Sequence, residues 1–168
     1  MILLKERTET NVNKIKKFLR INLSYMACLF ISLIILAGIV VYVTLPWLVD
    51  WYIDSTAVEI SQSTHRVMIS MLYSIGIPVF VTLGMAWLLT MNISRGKSFI
   101  KNNVTCLKVI SVASLVIAVM VQFFSTFLKS FFPFIITIIF VLLALLCAVF
   151  ANLFQAAIRY KEENDLTV

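Results

Sequence analysis

An all-α, polytopic membrane protein is the fold class this sequence predicts, as a four-transmembrane-helix bundle with both termini in the cytoplasm. Three observations predict it. Four apolar runs of about 20 residues or more, each long enough to cross a bilayer, make up most of the chain. Of its 168 residues only 14 are Lys or Arg and 8 are Asp or Glu, and nearly all of these lie outside the runs. The hydrophobic fraction is 61% and the mean hydropathy +1.01, beyond an ordinary soluble domain. Hydrocarbon offers backbone groups no partners, so a spanning segment satisfies them internally as a helix. A β-barrel strand would alternate in polarity, and the run over residues 109–127 does not.

Residues 1–20 form a basic segment, with Lys5, Arg7, Lys14, Lys16, Lys17 and Arg20 set against Glu6 and Glu9. Val12, Ile15 and Leu19 recur at helical spacing, which predicts an amphipathic cytoplasmic helix at the headgroups. The apolar run that follows is too long for a cleaved signal peptide and lacks a small-x-small exit site. The membrane domain is expected over residues 21–163. Its first span covers about 23–48, with Pro46 marking its approaching end and Trp47, Trp51 and Tyr52 placed for the outer interface. Residues 50–66 read as an outer loop, too short for a domain but with room for a short helix, containing Asp50, Asp54, Glu59, His65 and Arg66.

The second span covers about 67–91. Pro78 lacks an N–H and crowds the preceding turn, so a kink and candidate hinge is expected over residues 74–78. Gly96 reads as a helix stop ahead of a basic middle loop holding Arg95, Lys97 and Lys101, with Phe99 and Ile100 resting on the inner leaflet. The third span covers about 107–128 and carries a small-residue face of Ser111, Ser114 and Ala118 for close helix approach. A tight turn at 129–133 makes the fourth span, about 134–158, its antiparallel partner. Ala144, Ala148 and Ala151 form the small face of that fourth span. The last helix is expected to run past the membrane to about Glu163, leaving a cytoplasmic tail at 164–168.

Basic residues set the orientation. Placing the N-terminal segment, the middle loop and the C-terminal end inside puts 12 of the 14 Lys and Arg there, leaving Arg66 and Lys129 outside. The net charge of +6 then follows from topology and contact with anionic headgroups rather than from nucleic-acid binding.

Little here points to chemistry. No ionisable residue lies in the middle of a span, where one would mark a proton or substrate path. Gln122, Asn152 and Gln155 read as interhelical hydrogen-bonding groups. Cys28, Cys106 and Cys147 lack metal-ligand spacing and read as packing residues without a disulfide. Gly96-Lys97-Ser98 mimics the end of a phosphate-binding loop, but Met91 stands where that motif needs glycine. His65 is the one histidine, so neither a zinc motif nor a familiar catalytic triad can be assembled. No enzyme activity and no cofactor are expected. Asp50, Asp54, Glu59 and His65 read as a solvated loop in preference to a cation site. Glu162, Glu163 and Asp165 are more unusual. They sit at a helix C-terminus, whose dipole favours cations, and face an anionic leaflet.

Four segments resemble an uncharacterised family of four-span bacterial membrane proteins, a YoaS-like domain of unknown function. They are Ile77-Pro78-Val79-Phe80, Gly96-Lys97-Ser98-Phe99, Leu107-Lys108 and the terminal Glu163-Asn164-Asp165-Leu166-Thr167-Val168, together covering about residues 68–168. The first span matches only in hydropathy. The resemblance implies a multi-pass protein of the bacterial cytoplasmic membrane with no established enzymatic activity. It also implies an association with a small Cro-type helix-turn-helix regulator, which is often encoded beside members. That directs attention to a partner-binding surface. Glu162, Glu163 and Asp165 would face a basic regulator surface, Leu166 and Val168 would add apolar contacts, and Phe99 and Lys101 would form a second element. Protection or immunity against a membrane-active peptide is the second reading, acting through the outer aromatic cluster. A small transporter ranks third.

Overall fold

The computed structural model describes residues 2–56, 61–128 and 131–165, with side chains over 25–55, 61–125 and 131–164. These residues form four helices: α1 (Ile2–Thr56), α2 (Gln62–Ser94), α3 (Lys101–Leu128) and α4 (Phe132–Asp165). No strand occurs among the described residues. Each helix contains a stretch long and apolar enough to cross a membrane, within Tyr25–Ser55, Gln62–Ser94, Lys101–Ser125 and Phe132–Asn164. The helices pack in chain order, α1 on α2, α2 on α3 and α3 on α4, and among the described residues α1 and α4 do not meet.

Antiparallel register follows from specific pairs. Trp87 Nε1 donates to Ser32 Oγ at 3.1 Å, and the Tyr42 hydroxyl donates to the Tyr73 carbonyl at 3.1 Å, so α1 and α2 run in opposite directions. Ser111 Oγ donates to the Ala144 carbonyl at 2.8 Å and fixes α3 against α4. The start of α1, the loop between α2 and α3, and the end of α4 therefore lie at one end of the molecule. The α1–α2 connection and the α3–α4 turn lie at the other.

Two expected boundaries are corrected. Pro46 does not close the first helix; α1 continues through it to Thr56. Leu45 and Val49, one turn apart, are both buried on the side facing α2, and this packing carries the helix past the hydrogen bond that proline removes. The outer loop over 50–66 is consequently helical through Thr56 and again from Gln62, with Asp50 and Asp54 on the last turns of α1. Trp47 and Trp51, one turn apart, remain exposed beside Tyr52. The expected amphipathic segment at 1–20 is helical from Ile2 and continuous with the first span, without a break between them.

Other expectations are met with a visible cause. Gly96, at φ 76, occupies the left-handed position that ends α2. Its N–H bonds the Ile93 carbonyl and the Lys97 N–H bonds the Asn92 carbonyl, each at 3.0 Å, the paired pattern of a Schellman cap. The small faces of the third and fourth spans meet each other: Ala118, Ala144 and Ala151 are almost fully buried and Ala148 half-buried. Without a hydrophobic drive between helices in lipid, close backbone approach and hydrogen bonds such as Ser111 to Ala144 supply the cohesion. Cys106 and Cys147 are buried and unpaired packing residues, and Cys28 is partly exposed and also free.

Pro78 lies inside α2, half-buried, and the helix runs through it. Its missing N–H leaves the Ser74 carbonyl without the usual donor four residues on. α1 braces this stretch. The Tyr42 ring meets Tyr73 and Phe80 edge-on, at 4.9 and 5.4 Å between centroids. Gly76 provides the room, since a methyl group there would overlap the Tyr42 ring.

Candidate functional site

The polar groups concentrate at the end formed by the middle loop, the start of α3 and the end of α4. Asn103 organises it. Its side chain is fully buried, at 0% exposure, and every strong bonding group has a partner. Nδ2 donates to the carbonyls of Lys97 (2.9 Å) and Ser98 (2.7 Å), while Oδ1 accepts from Asn92 Nδ2 (2.8 Å). One amide thus ties the last turn of α2, the loop and the first turn of α3 into a unit. Two loop carbonyls that would otherwise be left short of donors are satisfied.

Around this knot the loop is turned toward α4. The Phe99 ring packs on Phe154 with centroids 5.5 Å apart, although about half its surface stays exposed. Lys101, the first residue of α3, meets Glu162 with Nζ to Oε1 at 3.1 Å. Lys108 donates to Gln155 Oε1 at 3.2 Å, so Gln155 serves the interhelical hydrogen-bonding role expected of it. Arg159 Nε lies 3.5 Å from Glu163 Oε1, one turn along α4. Beneath these polar pairs, Val104, Leu107, Ala151 and Ile158 form a buried apolar cluster flanked by Leu89 and Phe154.

Of the candidate partner-binding residues, expected on two separate segments, Phe99 and Lys101 of the loop and α3 start each meet α4, at Phe154 and Glu162 respectively. Glu163 pairs instead with Arg159 within α4. Asp165 ends α4 with its side chain outside the described residues, and Leu166 and Val168 lie wholly outside them. The acids at the C-terminal end of α4 also acquire a physical account. Glu162 reaches across to a cation at the N-terminus of α3, and Glu163 pairs within its own helix, which offsets the unfavourable dipole. Both pairs are solvent-exposed, so each contributes little to stability.

Sequence reasoning passed over Asn92 and Asn103. Asparagine near a turn is too common to stand out. A glycine stop followed seven residues on by an asparagine at the next helix start is the signal that was present. At the opposite end His65 Nε2 lies 2.8 Å from Asp50 Oδ1 and clips the start of α2 to α1. A cavity of about 500 Å³ lies there between Asp50, Ile53, Asp54, Gln62 and His65, and Glu59 falls outside the described residues. No group of three or more metal-ligating side chains gathers among the described residues.

Four antiparallel apolar helices with a polar, hydrogen-bonded end define a multi-pass helical membrane protein. A family model described as Protein of unknown function (DUF2975) matches residues 8–168, and the chain belongs to that family. The match takes in the first span and much of the basic N-terminal segment, well beyond the region about 68–168 that carries the residue-level resemblance. No curated protein and no solved structure matches this chain.

Proposed function

We propose that this protein is a membrane-embedded partner of a small cytoplasmic helix-turn-helix regulator, which it sequesters or controls from the bacterial cytoplasmic membrane. The observation that supports this reading is the joining of the middle loop to the end of α4. Phe99 on Phe154 and Lys101 on Glu162 bring an aromatic and a charged contact to the same end of the molecule from segments about 60 residues apart. A regulator gripping that end would bury Phe99 and compete for Glu162, and the charge pattern would steer its basic surface onto the acidic helix end. Pro78 is the point in α2 where two arrangements of the helices would differ, transmitting a signal to the loop.

The test is co-purification of the neighbouring regulator with the full chain, with a Phe99→Ala, Glu162→Lys variant, and with a chain lacking residues 164–168. Capture by the full chain and loss in the variants supports the reading. Absence of capture by the full chain eliminates it. Exposure of Trp47 and Trp51 at the opposite end favours a second reading, protection against a membrane-active peptide. In that case substitutions of these tryptophans destroy protection and removal of the tail leaves it intact. A small transporter stays third, and vesicle flux is its test.

A further inference from the structure

The groove between the start of α3 and the end of α4 has features that neither helix packing nor a protein partner requires. Lys101, Thr105 and Lys108 recur at intervals of four and three residues along one face of α3. Gln155, Arg159 and Glu162 recur at the same intervals along the opposing face of α4. Together with buried Val104 and Ile158 they line a cavity of about 350 Å³. Three cations and one carboxylate line the cavity, and Arg159 also pairs with Glu163 one turn along α4, so the positive excess is centred on Lys108. Glu162 is engaged by Lys101, whereas Lys108 meets only the neutral amide of Gln155 and has no carboxylate within 4 Å among the described residues. Lys108 is also two turns into α3, and the next charged residue along that helix does not come before its end at Leu128. The stripe then continues along α3 as Val112, Leu115 and Val119, all exposed.

We infer that this groove is a binding site for the phosphate of an anionic membrane lipid. The phosphodiester sits between Lys108 and Arg159, and an acyl chain runs down the Val112–Leu115–Val119 track. The cavity supplies room for a headgroup, the two cations supply charge-assisted hydrogen bonds, and Thr105 and Gln155 supply neutral polar partners at its edge. A free phosphate ester shares the headgroup's chemistry but has no use for the aliphatic track, which is why the lipid is the assigned source. Glu162 opposes the anion and limits affinity. The site goes beyond the regulator reading: it shares Lys101 and Glu162 with the partner face, but its central residues, Lys108 and Arg159, are not assigned there.

The experiment is native mass spectrometry of the full chain released from detergent with equimolar phosphatidylglycerol and phosphatidylcholine. Wild type is expected to retain phosphatidylglycerol preferentially, and Lys108→Gln with Arg159→Gln to reduce that preference about tenfold. Arg95→Gln with Lys97→Gln removes the same charge outside the cavity and is expected to leave the preference intact. Lys108→Arg restores it, and Glu162→Gln strengthens it, which separates a binding role from misfolding. Equal retention of the two lipids by wild type overturns the inference. So does undiminished preference in the Lys108 and Arg159 variant, or equal loss in the Arg95 and Lys97 control. Glycerol phosphate at millimolar concentration is expected to leave the bound lipid in place. Displacement of the lipid by it overturns the assignment to a membrane source.

Discussion

α3 and α1 are built from comparably greasy sequence and have opposite fates. More than half of the residues in α3's most apolar stretch are buried in protein, while none in the corresponding stretch of α1 is. α4 is the most apolar of the four and still presents most of its surface outward. In water, hydrophobicity would rank burial. In lipid it ranks only membrane residence, and the choice of interior helix falls to small and polar side chains that permit close approach. α3 carries Asn103, Ser111, Ser114 and Ala118, each buried, and it alone joins the α3–α4 seam to the α2–α3 seam. Among the described residues α1 packs only on α2, keyed by Ser32 with Trp87, by Tyr42 seated over Gly76 and by Asp50 with His65.

If that division is correct, the most damaging single change lies at α3's start. Asn103→Ala breaks three hydrogen bonds in a fully buried position and is expected to lower stability by about 3 kcal/mol in denaturant titration of the purified protein. A loss no greater than that of an exposed lipid-facing residue such as Val40 would erase the contrast between the two helices. Gly76→Ala forces the Tyr42 ring aside and is expected to lower stability by about 2 kcal/mol. Because the clash is with Tyr42, the additional change Tyr42→Ala should cost less in the Gly76→Ala background than in the wild type.

Ser111→Ala deletes the bond to the Ala144 carbonyl and is expected to lower stability by about 1 kcal/mol. Ser114 is the sharper companion. Its hydroxyl is buried with no hydrogen-bond partner among the described residues, so Ser114→Ala is expected to be neutral or to stabilise by up to about 1 kcal/mol. Two serines one turn apart on the same helix should therefore respond with opposite sign. A larger loss at Ser114 than at Ser111 would mean that hydrogen bonding is not what distinguishes α3.

How much of this was legible in the sequence follows from the same physics. Four spans, the stop at Gly96 and the matching small faces of α3 and α4 were readable, because hydropathy, a left-handed glycine and small-residue spacing are local signals. Continuation of α1 through Pro46 was not, since it depends on Leu45 and Val49 finding α2. The serial order of packing was equally hidden, because the surface of α1 that meets α2 is built from the same apolar residue types as the rest of that helix. At the candidate site, the meeting of Phe99 with Phe154 and of Lys101 with Glu162, and the Asn92–Asn103 knot beneath them, depend on contacts across the chain, which no local pattern encodes.

α1 is 55 residues long without interruption. At about 1.5 Å per residue such a rod measures roughly 80 Å, against about 30 Å of hydrocarbon. Even tilted by about 40°, the steepest inclination common among spans, it leaves about half its length outside the oily layer. The segment holding six of the chain's 14 cations is thus a stiff continuation of a transmembrane rod rather than a separately hinged arm. A push or a pull applied near Ile2 is delivered along one continuous hydrogen-bonded axis to Tyr42 and the proline-weakened turn it braces.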